Sequence, residues 1–588
     1  MKTKFGTFAN PIIFCALILC IGQGCKKSGD STGGGNNGGN PPVVPDSTYN
    51  PTDPSSAATI GFFGNGWKAK SFTTPDNTPG SATTLAATDS LTINVNKVLV
   101  KVVPYVYGAN SNLWSGQITT QPALMQYLTD LSPNIIRGPG GSISDVYFWN
   151  GSDANPAPAD APTNLLNDGG VANAAGYWYG GNAASWTFSL DNYYNLLSQT
   201  NSTGIITVNY GYARYGTSAN PVATAAHLAA DWVRFDKGRT KFWEIGNENF
   251  GSWEGGYRID QSLNKDGQPA TITGDLYGTH FNVFADSMKA AAMEIGATIY
   301  IGAVIYQEPA YQGAYTSIQT WNQGVLQKAG NAADYFIVHD YFTGYATNSS
   351  AADILSTGAA VPASVMNYVK QQTSAAGVGL KPIAFTEWNI QAIGSKQNVS
   401  YISGIHAAKT IGSIIKNNFG EASRWDIANG YDNGDDQGMF NNGSEPGAPL
   451  WNPRPSFFYL YYFQKFFGDR MVYDTLKGSN TDITIYSSTF STGQAGTILI
   501  NSSSLNHVVA IDFQHFPAGA KYYWYILTGG TDNGSFSGQV YVNGTGPSTA
   551  TGGPLNYASL KAYSAPLTGT INMKLPPFSV VYLVADKK

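Results

Sequence analysis

Cysteine is nearly absent from this 588-residue chain, and the three present, Cys15, Cys20 and Cys25, all fall at its start. The chain beyond them can form no internal disulfide and no cysteine-ligated metal site. Charge is scarce as well. Asp, Glu, Lys and Arg make up 12%, the formal net charge is −5, and no Lys/Arg block occurs; the electrostatic footprint of a nucleic-acid partner is therefore missing. The Gly-x-Ser-x-Gly match Gly29-Asp-Ser-Thr-Gly33 follows no strand-like run and so makes no nucleophile elbow, and no Cys/His zinc spacing occurs. The acidic run Asp432-Asn-Gly-Asp-Asp436 does not match the helix-loop-helix calcium pattern, so no metal and no cofactor is expected. What is abundant is apolar and aromatic: 42% hydrophobic residues over a length sufficient for more than one domain.

Residues 1–24 read as an export signal, with Lys2 and Lys4, an apolar run over 11–21, and Gly22-Gln-Gly24 before Cys25. The run is too short to remain as a membrane-spanning helix. The stretch resembles a bacterial lipoprotein signal. That implies lipidation of Cys25, a membrane partner through the anchor, and an outer-membrane lipoprotein facing the periplasm or the cell surface. Residues 25–54, rich in Gly, Asn and Pro, are expected to be a flexible linker.

Eight apolar runs follow, at 98–107, 134–137, 204–210, 241–248, 298–304, 335–341, 382–388 and 424–429. Several are continuous Val/Ile/aromatic segments without alternation, the pattern of parallel strands buried on both faces. Helix-like stretches at 221–235, 277–295 and 359–376 lie between them. The alternation predicts an α/β fold, a (β/α)8 TIM barrel, over 98–455. A doubly wound open sheet would place a glycine-rich phosphate loop after the first strand; Gly108-Ala-Asn-Ser-Asn-Leu-Trp114 lacks that fingerprint, and Pro139 removes a donor from Arg137-Gly-Pro-Gly-Gly141. Beyond residue 455 the runs become short, β-branched and separated by Gly/Asn/Ser turns, which predicts a C-terminal antiparallel β-sandwich over 456–588. The alternation Leu91, Ile93, Val95 adds the segment 55–97 to that sandwich.

Two of the barrel runs end on carboxylates. Lys241-Phe-Trp-Glu-Ile-Gly-Asn-Glu248 closes the fourth and Lys381-Pro-Ile-Ala-Phe-Thr-Glu387 reaches the end of the seventh. Barrel active sites lie at the carboxyl ends of the strands. Paired carboxylates there are what glycoside hydrolysis by double displacement requires, one to protonate the leaving oxygen and one to attack the anomeric carbon. The 36 Tyr and 13 Trp suit stacking on sugar rings, although most are expected in the core. Glu244 shares strand parity with Glu248 but lies deeper, and is expected to be an interior partner. Glu254, Asp145, Tyr147 and Trp149 are further candidates to line a subsite.

With these residues in view, the sequence resembles the clan of retaining glycoside hydrolases that carry acid/base and nucleophile on strands four and seven. Trp243-Glu-Ile-Gly-Asn-Glu248 and Thr386-Glu-Trp-Asn389 look most like the family 51 α-L-arabinofuranosidases. Val103-Pro-Tyr-Val-Tyr-Gly-Ala-Asn110 resembles that group and the related xyloglucan and β-glucan endoglucanases equally. The resemblance implies Glu248 as general acid/base, with its pKa raised by apolar neighbours such as Phe250 and Trp253, and Glu387 as nucleophile. It further implies that Asn247 bonds a sugar hydroxyl, that Arg137 keeps the nucleophile charged, and that Tyr341 bonds the nucleophile while His339 lines the sugar subsite. Trp388 and Trp425 are candidate stacking platforms. The implied activity is retaining hydrolysis of an oligo- or polysaccharide, arabinofuranosidase-like, with an endo-β-glycanase as the alternative. A non-catalytic surface glycan-binding lipoprotein is the rival of a different class.

Overall fold

The structure is a computed structural model, and it describes residues 49–588 apart from positions 82, 346, 393–395 and 435–436. The export signal, the lipidation site Cys25 and linker residues 25–48 lie outside the described residues.

Eight parallel strands close into a barrel. They are β1 (Gly108–Asn110), β2 (Ile135–Gly138), β3 (Thr203–Val208), β4 (Phe242–Ile245), β5 (Tyr300–Val304), β6 (Tyr335–Tyr341), β7 (Ile383–Asn389) and β8 (Glu421–Arg424). Burial on both faces explains the unbroken apolar runs: every residue of β4 and β7 is buried. The connecting helices turn one apolar face inward. In Gly274–Glu294 the buried set includes Tyr277, Phe281, Phe284, Met288 and Ala291, the spacing of one helical stripe. Thr273 caps that helix by accepting from the Leu276 N–H.

Two strands differ from the sequence expectation. The run at 98–107 supplies no barrel strand; its first residues complete a 13-residue strand, Asp89–Lys101, of the second sheet, and β1 follows at 108. The eighth strand is Glu421–Arg424, upstream of the expected 424–429. The final barrel helix, Pro455–Phe466, extends past residue 455 and packs against Tyr401–Lys416 and Pro122–Leu131.

The sandwich is built from one continuous eleven-stranded sheet. Pairing is antiparallel except where Asp89–Lys101 meets His507–Gln514 and Asn77–Pro79 meets Ala562–Pro566. Residues from both ends of the strand order, Tyr522 and Ala565 at one and Ile571 and Met573 at the other, share a single apolar core with Leu91, Ile93 and Val95, so the sheet folds back over itself. Its other face packs on the barrel: Tyr582 donates to the Tyr459 carbonyl at 2.8 Å and Tyr486 to that of Lys409 at 2.8 Å.

The segment before residue 97 divides its role. Only 77–79 and 89–101 join the sheet. The turn Gly61–Gly66 instead plugs the amino-terminal mouth of the barrel, where Phe62 stacks on Tyr300 at 3.8 Å and Phe63 packs on Phe242 and Tyr335. At the linker's end Asp53 pairs with Arg470 at 2.6 Å and Thr52 bridges Lys97, so residues 52–53 are docked on the sheet. No helix among the described residues is long and apolar enough to cross a membrane.

Candidate active site

Strand ends at the carboxyl face converge on Arg137, whose side chain has no exposed surface. Its Nε–H donates to Glu244 at 2.5 Å, one amino group to Glu387 Oε1 at 2.7 Å and to Asn110 Oδ1 at 3.2 Å, and the other to Asn247 Oδ1 at 2.8 Å. The planar fork of a guanidinium matches this divergent set of acceptors, which a lysine could not. Glu244 lies one layer down and also accepts from Thr207 at 2.8 Å. Deeper still, burial pushes Glu421 up to about 8, with the Ser423 hydroxyl opposing, so its neutral form is favoured at neutral pH.

Glu387 is 5% exposed and receives a second donor, the Tyr341 hydroxyl, at 2.9 Å on Oε2. Glu248, 15% exposed, faces it across the mouth. His339 stands between them, Nδ1 3.0 Å from Glu248 Oε1 and 3.9 Å from Glu387 Oε1, with Nε2 2.9 Å from Thr386 Oγ1. One oxygen of each glutamate and one nitrogen of His339 lie within 4.8 Å of one another. This set has the donor chemistry for a divalent transition ion. Glu387, however, already has both oxygens engaged, one by the guanidinium, whose charge opposes a second cation at the same place.

Local backbone explains how these side chains meet. Gly246 has φ +73°, and a β-carbon there would stand 1.9 Å from Asn249 Oδ1; the turn sends Asn247 and Glu248 into the mouth. In β7 the register with β8 shifts between Phe385 and Trp388, and in β6 the register with β7 shifts between Val338 and His339. Such irregularities re-aim side chains next to active sites, and here adjacent Thr386 and Glu387 both reach His339 or Arg137.

The charge on Glu248 runs against the sequence expectation. Burial raises its pKa, but the hydrogen bond and charge of His339, the indole N–H of Trp253 at 2.9 Å and the charge of Arg137 outweigh it, and the net direction is downward. Trp253 was expected to desolvate this carboxylate; through its N–H it stabilises the charged form instead.

Trp388 is corrected as well. It is 1% exposed and belongs to the apolar core, because the residue after inward-facing Glu387 turns to the helix layer; it offers no face to a sugar. Trp425, directly after β8, is 7% exposed, and a β-carbon at Gly141 would stand 2.8 Å from its ring. Asp145 and Tyr147 are buried, and Trp149 stacks on Trp232; none of the three lines a subsite. Asn247 is 2% exposed, held by Arg137 through Oδ1 and donating through Nδ2 to Glu254 at 2.9 Å. That leaves one amide proton and one lone pair for a ligand.

Sequence reasoning offered Glu254 only as one candidate to line a subsite, and the structure also places it in a buried hydrogen-bond network. It is 4% exposed, and its Oε1 accepts from Asn247 and from Ser142 at 2.9 Å. Beside it Asp145 accepts from the N–H groups of Gly211 at 3.0 Å and Asn247 at 3.2 Å and from the Asn249 amide at 2.8 Å. The signal was present only as two acids and two asparagines, Asn247 and Asn249, dispersed between positions 145 and 254.

No protein-family model matches this chain, and no curated protein matches it in sequence. Solved structures do. The α-L-arabinofuranosidase from Thermotoga maritima superposes with a TM-score of 0.59 at 16% identity, covering 84% of this chain and 99% of that one. A family 51 α-L-arabinofuranosidase from Thermotoga petrophila gives 0.59 at 15%, covering 85% and 100%. A xyloglucanase of glycoside hydrolase family 44 from Paenibacillus polymyxa gives 0.54 at 12%, covering 85% and 100%. At such identities the likeness is one of fold.

Proposed function

We propose that this protein is a retaining glycoside hydrolase. The observation that carries the proposal is the facing of Glu248 and Glu387 from the ends of β4 and β7, with an oxygen of each within 4.8 Å. Retaining enzymes hold their two carboxyl groups about 5–5.5 Å apart, whereas inverting enzymes leave about 6.5–9.5 Å for a water molecule.

On this reading Glu387 attacks the anomeric carbon and forms a glycosyl ester, while Glu248 donates a proton to the departing oxygen. Water then attacks the ester, Glu248 taking its proton, and Glu387 leaves as carboxylate. Arg137 and Tyr341 hold the two oxygens of Glu387 by hydrogen bonds, and these bonds receive the carboxylate again when the ester breaks. Arabinofuranosyl residues are the first choice of substrate, in line with the names of the arabinofuranosidases whose fold this chain shares. An endo-acting β-glycanase is the second, favoured by a groove lined in part by Trp253, the residue whose N–H bonds Glu248. The leader sequence alone supports the further reading of an exported protein tethered to a membrane through Cys25.

Glu387→Ala tests the chemistry. Hydrolysis of aryl arabinofuranosides, xylosides and soluble β-glucans should fall to background while the far-UV spectrum and unfolding midpoint stay near those of the parent. Persistent turnover in this variant would remove the nucleophile and with it the mechanism.

A further inference from the structure

The chain between β2 and β3 is far longer than a barrel connection requires, and it builds a wall. It contains a hairpin, Asn164–Leu166 paired with Ala172–Ala174, and a short pairing of Tyr147–Phe148 with Trp178–Tyr179. The hairpin is fastened to the loop after β4, where Leu166 bridges Arg258 and Arg258 bridges Thr271. Its turn is held from a third direction by the Tyr315 hydroxyl, 3.2 Å from Asp168 Oδ2. Between this wall and the β4 loop lies a groove of about 620 Å³, within the range of ligand-binding clefts.

Four properties of the groove bear on its occupant. Its surface includes Val146, Leu166 and the indole of Trp178, which Trp186 supports edge-on at 5.5 Å. Asn167 and Asp168 sit exposed on the turn as hydrogen-bonding groups. No Lys or Arg lines it, while Asp168 and Glu254 do. At its inner end is Trp253, 54% exposed, the same residue whose N–H bonds Glu248. Aromatic faces beside neutral hydrogen-bonding groups fit the C–H faces and hydroxyls of sugars; the absence of any cation disfavours a uronate chain. A groove fastened on three sides is preorganised, so little ordering cost attends binding.

We infer that this groove holds the leaving-group portion of a neutral oligo- or polysaccharide, with Trp178 as a stacking platform. Only the direction rests on the proposed function: the leaving oxygen must lie against Glu248 while the anomeric carbon faces Glu387, so the departing chain extends past Glu248 toward Trp253 and the groove. The site thus takes a glycan chain rather than a small aglycone. This holds whether the bond cleaved is a side-chain or a backbone linkage.

Binding separates this inference from the catalytic one. The full-length Glu387→Gln protein would be titrated calorimetrically with neutral xylo-, arabinoxylo- and β-gluco-oligosaccharides of increasing length, and with oligogalacturonate. Affinity should rise with length for at least one neutral series and exceed that for oligogalacturonate. Adding Trp178→Ala should weaken the longest ligand by about tenfold or more, with recovery in Trp178→Phe. Unchanged affinity in folded Trp178→Ala overturns the inference, as does tighter binding of oligogalacturonate. Misfolding of the alanine variant would shift the decision to the phenylalanine variant and the length series. Failure of the parent to hydrolyse any glycoside would sink the hydrolase reading while leaving this binding result to stand or fall alone.

Discussion

Glu254→Gln isolates a buried proton beneath the candidate site. Glu254 Oε2 is buried without a donor of its own, while Oε1 takes Asn247 and Ser142. Burial raises the Glu254 pKa well above the usual carboxylate value, and the charges of Asp145 and Glu248 raise it further. Asp145 is pushed up to about 6 by burial, against the opposing donors Asn247, Gly211 and Asn249 and a hydrogen bond from Glu254. The groups facing the pair from neighbouring elements are the hydroxyl of Tyr215, 3.1 Å from the Asp145 carbonyl, and Arg137 acting through Asn247; neither brings a cation into contact with Glu254. The native state therefore keeps a proton on Glu254 that the unfolded chain releases above its ordinary value of 4.5. A folded pKa raised in this way gives stability that is complete below the unfolded value and declines as pH rises toward the folded one. The decline is about 1.4 kcal/mol per pH unit for one proton. As pH rises from the unfolded value of 4.5 toward the raised folded one, the parent should lose up to about 1.4 kcal/mol per pH unit relative to Glu254→Gln, whose amide supplies a permanent donor to Asp145. Urea unfolding of both proteins at about pH 5, 6 and 7 reads the difference, since titrating groups that do not interact with Glu254 cancel in the comparison. Parallel stability curves would refute the protonated carboxyl.

Two further expectations concern the charges around the mouth. Arg137→Met leaves Glu244 and Glu387 buried without their shared cation, and should cost about 3–5 kcal/mol in denaturant unfolding; part of that loss should return when Glu244→Gln is added. Trp253→Phe removes the N–H that favours ionised Glu248, so the alkaline limb of kcat/KM should move to higher pH. Trp253 is 54% exposed, so water replaces part of the lost hydrogen bond and the displacement should be small.

The strands that were legible are those whose function is to be buried. β6 is read from sequence to the residue, because Tyr335-Phe-Ile-Val338 is an apolar run buried on both faces that continues directly into His-Asp-Tyr341. β1 and β8 were misplaced for opposite reasons. β1 has only three residues, Gly108-Ala-Asn110, and the longer apolar run before it belongs to the other sheet. β8 is Glu421-Ala-Ser-Arg424, a polar strand buried inside the barrel, which a search for hydrophobic runs passes over. The two glutamates stood out because each ends a strong strand. Strand parity alone would have turned Trp388 away from the mouth once Glu387 was placed in it. The Glu254–Asp145 contact had no such local mark, since it joins loops after β2 and β4 that only barrel closure brings together.

One tension within the site points to its working cycle. The proposed mechanism needs Glu248 protonated when the glycosidic bond breaks, yet its surroundings in the structure favour the charged form. Of the influences on it, burial is the largest and the only one that favours the proton; the opposing ones are His339, Trp253 and Arg137. A sugar oxygen that takes the place of the Trp253 N–H on Oε2 removes one of these and excludes water from a carboxyl that is now 15% exposed. Both changes act in the same direction, toward the protonated acid. On the proposed mechanism, substrate binding is then what moves the acid's pKa upward. The same displacement frees the Trp253 ring to meet the departing chain, so the residue that holds Glu248 charged at rest is also the first surface the leaving group encounters.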